Sequence, residues 1–252
     1  LESVSVPSAY VDELKAILQE PVCNPEKLLE KLEEIPYLNY LYGLDTGLWE
    51  QYSVGKHTKM VLEQFEKYFA DPAVKLPGNI DKGLFRLILA LHDIGKGTAV
   101  ALDRKDEEHE FTADAVKEIM RKFGFDPEHV NLALSLINGD PLGTYIRAMG
   151  KKGNADKKIR QAREEIEEMQ DASGLSPIDF FNLLVVYYQV DVSSYTPDAG
   201  GRNQSLANLF VHDSAQNRFV FNSDRQRLQF SPKVHQLIEK LCADIFVKSQ
   251  QQ

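Results

Sequence analysis

Two segments of this 252-residue chain are apolar almost all the way round. Gly83 to Leu91 carries Arg86 as its one charged residue, and Ile178 to about Val192 runs through Phe180, Phe181, Leu183, Leu184, Val185, Val186, Tyr187 and Tyr188. A helix that is apolar on every face belongs at the centre of a bundle, with other helices around it. Both segments nevertheless finish on charge: His92-Asp93 follows the first and Asp191 closes the second. A buried carboxylate without a partner is strongly unfavourable. Whatever surrounds these two helices must therefore supply that partner.

The remaining pattern is helical as well. Tyr10–Leu18 and Pro25–Ile35 have apolar residues at three- and four-residue spacing, with Asn24 before Pro25 as a cap. Ser53 opens a helix to about Phe69, with Val54, His57, Val61 and Phe65 on one stripe. Further helices are expected from Asn79/Asp81, over Glu108–Phe123, after Asp126-Pro127, over Ala155–Met169, after Ser176-Pro177 and over Pro232–Val247. Ser193 to Gln204 reads as a turn-rich loop, and Arg218–Asn222 with Arg227–Ser231 as one small β-hairpin. The expected fold is all-α, a helical bundle in one domain over 1–252. The motif-bearing part spans about 50–195. Helices within 1–49, and a hairpin plus helix within 205–252, pack on it.

Composition removes several functions. Lys plus Arg is 29 against 38 for Asp plus Glu, a net charge of −9, which argues against a protein that holds long nucleic acid by bulk charge. No apolar run approaches the roughly 18 residues of a membrane span. The first residues lack the basic and apolar regions of a secretory leader, and the chain opens on Leu1 rather than Met, compatible with a piece of a longer protein. Two cysteines, Cys23 and Cys242, make no disulfide framework or zinc spacing. A reducing, cytoplasmic setting is expected.

His57, His92, Asp93 and Asp191 are polar groups on predicted core helices. Taken singly, each has an ordinary reading: a hydrogen-bonded core histidine, or a carboxylate capping a neighbouring helix. Together, two imidazoles and two carboxylates are all satisfied by one divalent ion, with open positions left for water. Lys96 lies one turn beyond the His-Asp pair, near enough for its ammonium to meet a phosphate oxygen.

At these residues the sequence resembles the HD-domain superfamily of metal-dependent phosphohydrolases. His57, then His92-Asp93, then a distant Asp191 fits the H…HD…D pattern, and His92-Asp-Ile-Gly-Lys96 is a common form of the central motif. The resemblance covers roughly residues 50 to 195. It implies an all-α bundle with His57, His92, Asp93 and Asp191 as ligands to a divalent metal: Mn, Fe, Ni, Mg or Zn. Asp179 is the alternative last ligand, although its place near a helix start gives it a capping-type role. Two-metal members add histidines between the HD pair and the last Asp. His109 is a candidate here, but Asn138-Gly-Asp140 stands where another His often follows. That departure favours one ion over a full pair.

Under this resemblance Asp93 would also orient the attacking water, Lys96 would stabilise charge on the phosphate, and His109 or Asp140 would protonate the leaving oxygen. Arg147 opens a stretch with Lys151, Lys152, Lys157, Lys158, Arg160 and Arg163, which either meets an anionic substrate or forms a solvated face paired with nearby glutamates. Arg202 lies in the loop after Asp191, which reads as a lid or substrate pocket. Other features carry no role: Gly95-Lys-Gly-Thr98 lacks the first glycine of a phosphate loop, His212-Asp213 lies in a polar segment, and His129 and His235 sit on surface-like helices. The favoured expectation is hydrolysis of a small phosphorylated substrate. The alternatives are a phosphodiesterase acting on a cyclic nucleotide or nucleic-acid end, and a non-catalytic regulatory module. Nothing in the sequence sets the oligomeric state.

Overall fold

The structure is a computed structural model that describes residues 6–149 and 155–249. Its helices are α1 (Ser8–Leu18), α2 (Pro25–Glu33), α3 (Pro36–Gly43), α4 (Val54–Phe69), α5 (Lys82–Leu91), α6 (Lys96–Ala101), α7 (Glu108–Lys122), α8 (Pro127–Ile137), α9 (Pro141–Met149), α10 (Ala155–Ser173), α11 (Pro177–Ser194), α12 (Gln204–Ala207) and α13 (Pro232–Ser249). The fold is all-α with small β-hairpins near the C-terminal end. Among the described residues no helix is long and apolar enough to cross a membrane.

The caps follow the sequence. Asn24 accepts from the backbone N–H groups of Glu26 and Lys27, Ser53 from Lys56, Asp81 from Leu84 and Ser176 from Asp179. Each supplies an acceptor for backbone N–H donors that a helix start leaves unsatisfied. Asn24→Ala is expected to lower stability by about 1 kcal/mol, read as a fall of a few degrees in melting temperature.

Helices α5 and α11 are buried along most of their length, as their all-round apolarity requires, and α4 packs against both. The exception on α5, Arg86, is itself 2% exposed and makes a pinning network. Its guanidinium forms a bidentate pair with Glu66 on α4 at 2.7 and 2.9 Å and donates to the carbonyls of Leu18 and Glu20 at 2.7 Å. Glu66 also accepts the Cys23 N–H at 2.8 Å. One buried ion pair thus ties the α1–α2 turn to α4 and α5.

The single hairpin expected from sequence is corrected to two. β1 (His212–Asp213) pairs with β2 (Arg218–Phe219), β3 (Phe221–Asn222) pairs with β4 (Arg227–Leu228), and Phe210 bridges to Phe230. His212-Asp213 is therefore strand rather than loop. Its polar side chains hide it because a two-residue strand is held by backbone pairing and by its turn. Asp213 Oδ1 accepts from the N–H groups of Ala215 and Gln216, and Asn222 Oδ1 repeats this with Arg225. Gln189 on α11 holds the hairpins to the bundle, exchanging two hydrogen bonds with the Leu228 backbone at 2.7 and 2.9 Å.

Candidate metal centre

Three helices bring the chemistry together. α4 presents His57, the C-terminal end of α5 presents His92 with Asp93 in the turn beyond, and the last turn of α11 presents Asp191. His57 and His92 face each other through their Nε2 atoms at 3.2 Å. Asp191 Oδ1 lies 3.2 Å from His57 Nε2 and 3.6 Å from His92 Nε2. Asp93 Oδ2 lies 3.3 and 3.7 Å from the same two nitrogens. The ligand atoms of His57, His92 and Asp191 are all within 4.8 Å of one another, so this group can hold a metal ion.

The donor set fits a cation. His92 Nδ1 donates to the Leu89 carbonyl at 2.7 Å, which leaves the Nε2 lone pair of the neutral ring facing the group. Asp191 Oδ1 is buried yet makes no hydrogen bond of ordinary geometry. An unsatisfied buried oxygen beside two imidazole nitrogens is stabilised by a positive charge between them. The electrostatics agree in direction. Burial pushes the Asp93 carboxyl up, but Lys96, His92 and His57 pull it down to about 2. Burial acts likewise on Asp191, and the two imidazoles hold it well below the usual carboxylate range. For His92, burial lowers the pKa, while the charge of Asp93 and the contact with Asp191 outweigh it and raise it.

A pH dependence is expected from this arrangement. An ion held through His92 Nε2 would displace a proton from that ring, so affinity is expected to fall as pH drops below the raised His92 pKa and to level off above it. Titrations of Mn2+ are expected to weaken about tenfold per pH unit below that point, where one proton is displaced. A flat profile from pH 5 to 8 would contradict the ligand role of His92.

A cavity of about 150 Å3 opens onto the group, lined by His92, Asp93, Lys96, Glu108, His109, Asp140, Tyr187, Tyr188 and Asp191 among others. Lys96 Nζ donates to Asp93 Oδ2 at 3.0 Å. Burial lowers its pKa, but Asp93 and Glu108 raise it further, so it stays charged. His109 Nδ1 contacts the Ile137 carbonyl at 3.1 Å, and as the donor there it leaves the Nε2 lone pair, with Glu108 Oε1 3.9 Å away, on the cavity side. Asp140 accepts from Gly143 N at 2.9 Å and Arg147 at 3.1 Å; burial raises its pKa against those two contacts.

Other expected residues lie elsewhere. Arg147 is exposed and reaches the cavity only through Asp140. Lys157, Lys158 and Arg160 are exposed on α10, Arg163 lies 3.9 Å from Glu167, and Lys151 and Lys152 fall outside the described residues. Arg202 is exposed and does not line the cavity. Ser193 and Ser194, read as loop, are the end of α11. Asp179 accepts the Ser176 hydroxyl at 2.6 Å and stays a capping residue. Cys23 and Cys242 are unpaired, and burial pushes the Cys23 thiol up to about 11. Sequence reasoning missed Tyr187 and Tyr188, and left Tyr195 unnamed within the loop read as a lid or substrate pocket. They stand four and three residues before Asp191 and four after it, spacings that share a helix face.

Gly95 has a packing reason rather than a phosphate-loop one. A Cβ there would lie 2.3 Å from Thr112 N, so only glycine lets the His-Asp-Ile-Gly-Lys turn press against α7 and bring Glu108 and His109 to the site.

No family model matches the chain, and neither curated proteins nor solved structures gave a match.

Proposed function

We propose that the protein is a metal-dependent phosphohydrolase of the HD type, acting on a small phosphorylated substrate. The observation that carries this reading is a pair of buried imidazoles that meets the part-buried carboxylates of Asp191 and Asp93 beside a cavity that also holds a charged lysine. The ion is of the Mn, Fe, Ni, Mg or Zn class, held by His57, His92, Asp191 and Asp93. When bound it supplies Lewis acidity to a phosphoryl oxygen and to a water.

The chain's own residues do the rest. Asp93 stays ionised and accepts a hydrogen bond from the attacking water. Lys96 neutralises charge that builds on the phosphoryl oxygens. His109 is better suited than Asp140 to protonate the leaving oxygen. Its Nε2 makes no hydrogen bond and has Glu108 Oε1 3.9 Å away to stabilise the protonated ring, whereas Asp140 already accepts from Gly143 and Arg147. A cavity of about 150 Å3 is well below the roughly 300–1,000 Å3 of sites that enclose a whole small molecule. A terminal phosphoryl group enters and the remainder of the substrate stays outside. That favours a phosphomonoester over a diester, which must pass a second ester arm. Two unpaired cysteines suit a cytoplasmic setting.

The test is the metal content of the purified protein, followed by hydrolysis of phosphomonoester and phosphodiester panels with Asp93→Ala as control. Bound metal and monoester turnover lost in Asp93→Ala are expected. A wild type without metal and equal to Asp93→Ala on every substrate would end the enzyme reading.

A further inference from the structure

Tyr195 is tied to the metal centre in a way the chemistry above does not use. It stands one helical turn beyond Asp191. Its ring stacks on His57 with centroids 4.5 Å apart and planes 18° apart. Its hydroxyl lies 3.1 Å from His57 Nε2. That nitrogen therefore has four polar neighbours within 3.3 Å: His92 Nε2, Asp191 Oδ1, Asp93 Oδ2 and the Tyr195 hydroxyl. It has one lone pair or one proton to share among them.

The loop that follows is built to hold Tyr195 in place. The Tyr195 carbonyl accepts the Asn203 N–H at 2.9 Å, and the Gly201 N–H goes to the Thr196 carbonyl at 2.8 Å. A Cβ on Gly201 would lie 2.1 Å from the Tyr195 carbonyl oxygen, so only glycine lets the loop close this tightly. Asp198, with a side chain 1% exposed, anchors the loop to α4 by accepting from Lys67 Nζ at 2.9 Å and from the Tyr68 hydroxyl at 2.9 Å. The Thr-Pro-Asp-Ala-Gly-Gly stretch is thus a brace behind Tyr195.

We infer that Tyr195 is a positioning residue with two separable parts: a ring that sets His57 for the ion, and a hydroxyl that binds an anionic oxygen joining the ion. With the His57 proton on Nδ1, the tautomer that an ion at Nε2 requires, the hydroxyl donates to the Nε2 lone pair when no ion is bound. An ion takes that lone pair, and the Tyr195 proton needs a new acceptor. Asp93 Oδ2 already accepts from Lys96. With Asp191 and Asp93 facing the ion, an oxygen of a phosphate held at the centre is the acceptor assigned to it. The inference rests on the phosphohydrolase reading, and it adds a contact to the substrate that comes from the far side of His57.

Calorimetric titration of Mn2+, then of inorganic phosphate into the Mn2+-loaded protein, tests it on the full chain. Tyr195→Phe keeps the ring. It should leave the Mn2+ Kd within about threefold and weaken phosphate about 10- to 100-fold, the loss of one hydrogen bond to a charged partner. Tyr195→Leu removes the ring as well and should weaken Mn2+ about 10- to 100-fold, as outer-shell changes do. Melting curves taken alongside establish that both variants are folded. The inference is overturned if Tyr195→Phe binds phosphate as wild type does, or loses Mn2+ and phosphate affinity in equal measure. It is also overturned if Tyr195→Leu keeps wild-type Mn2+ affinity. A wild type that binds Mn2+ but no phosphate overturns the phosphohydrolase reading itself, a pattern distinct from the first three.

Discussion

Asp191→Asn is expected to abolish tight divalent-ion binding and to reduce phosphomonoester hydrolysis by more than about 100-fold, since even outer-shell changes cost 10–100-fold. The substitution keeps the size of the side chain and removes the charge. Asp191 Oδ1 faces both imidazole nitrogens at 3.2 and 3.6 Å, so a neutral amide there takes away both the attraction for the ion and the partner of the histidines. The same variant separates ion binding from folding. An ion present at 100 times its Kd stabilises the folded state by about 2.7 kcal/mol, which is roughly 5–10 °C in melting temperature for a domain of this size. Chelation should lower the wild-type melting temperature by that amount and leave Asp191→Asn unmoved. A variant that still responds to the ion like wild type would remove Asp191 from the ligand set.

Arg86→Met carries the largest expected loss of stability. It leaves the Glu66 carboxylate at the buried contact with Cys23 N but without its bidentate partner, and it strips the carbonyls of Leu18 and Glu20 of their donor. Breaking one side of a buried, fully bonded ion pair costs about 3–5 kcal/mol, roughly 6–20 °C in melting temperature. The double variant Arg86→Met/Glu66→Leu removes the buried charge altogether and should recover part of that loss. Because the pair lies away from the cavity, the ion affinity of the folded Arg86→Met protein should stay close to wild type. Denaturant unfolding measures the first effect and Mn2+ titration the second. A single variant as stable as wild type would show that the pair contributes nothing to the tie between the α1–α2 turn and helices α4 and α5.

Much of the fold is written locally. The caps at Asn24, Ser53, Asp81 and Ser176, and the all-round apolarity of α5 and α11, depend on residues within a few positions of each other. α3, α6 and α9 were not legible. Each is short and begins within five residues of the end of another helix, so their apolar residues give too few repeats to establish a period. The second hairpin was hidden for a similar reason, because its strand pairs through backbone groups that leave no mark in side-chain pattern. At the site, the pairing of His57, His92, Asp93 and Asp191 was legible because each is a polar group on a helix with no room for one. Lys96 was named for its place one turn beyond the His-Asp pair and His109 for the resemblance, and both line the cavity. Tyr187 was not distinguished from core aromatics, since an aromatic beside a metal group and one inside a core have the same hydropathy, and Tyr195 fell within the segment read as a loop, whose contact with His57 comes from tertiary packing.

By itself the sequence determined that this chain is a helical bundle whose two most apolar helices end on charge, and that those charges need a common partner. That follows from local propensity and from the penalty on burying a lone carboxylate. The tertiary structure decided which atoms meet: Nε2 of both histidines within 3.2 Å, Oδ1 of Asp191 beside them, and the Tyr195 hydroxyl on the same nitrogen. Such contacts join α4, α5 and α11 across long stretches of chain. Their distances come from helix packing and from a brace closed by Gly201 and Asp198, and neither is encoded within any one segment.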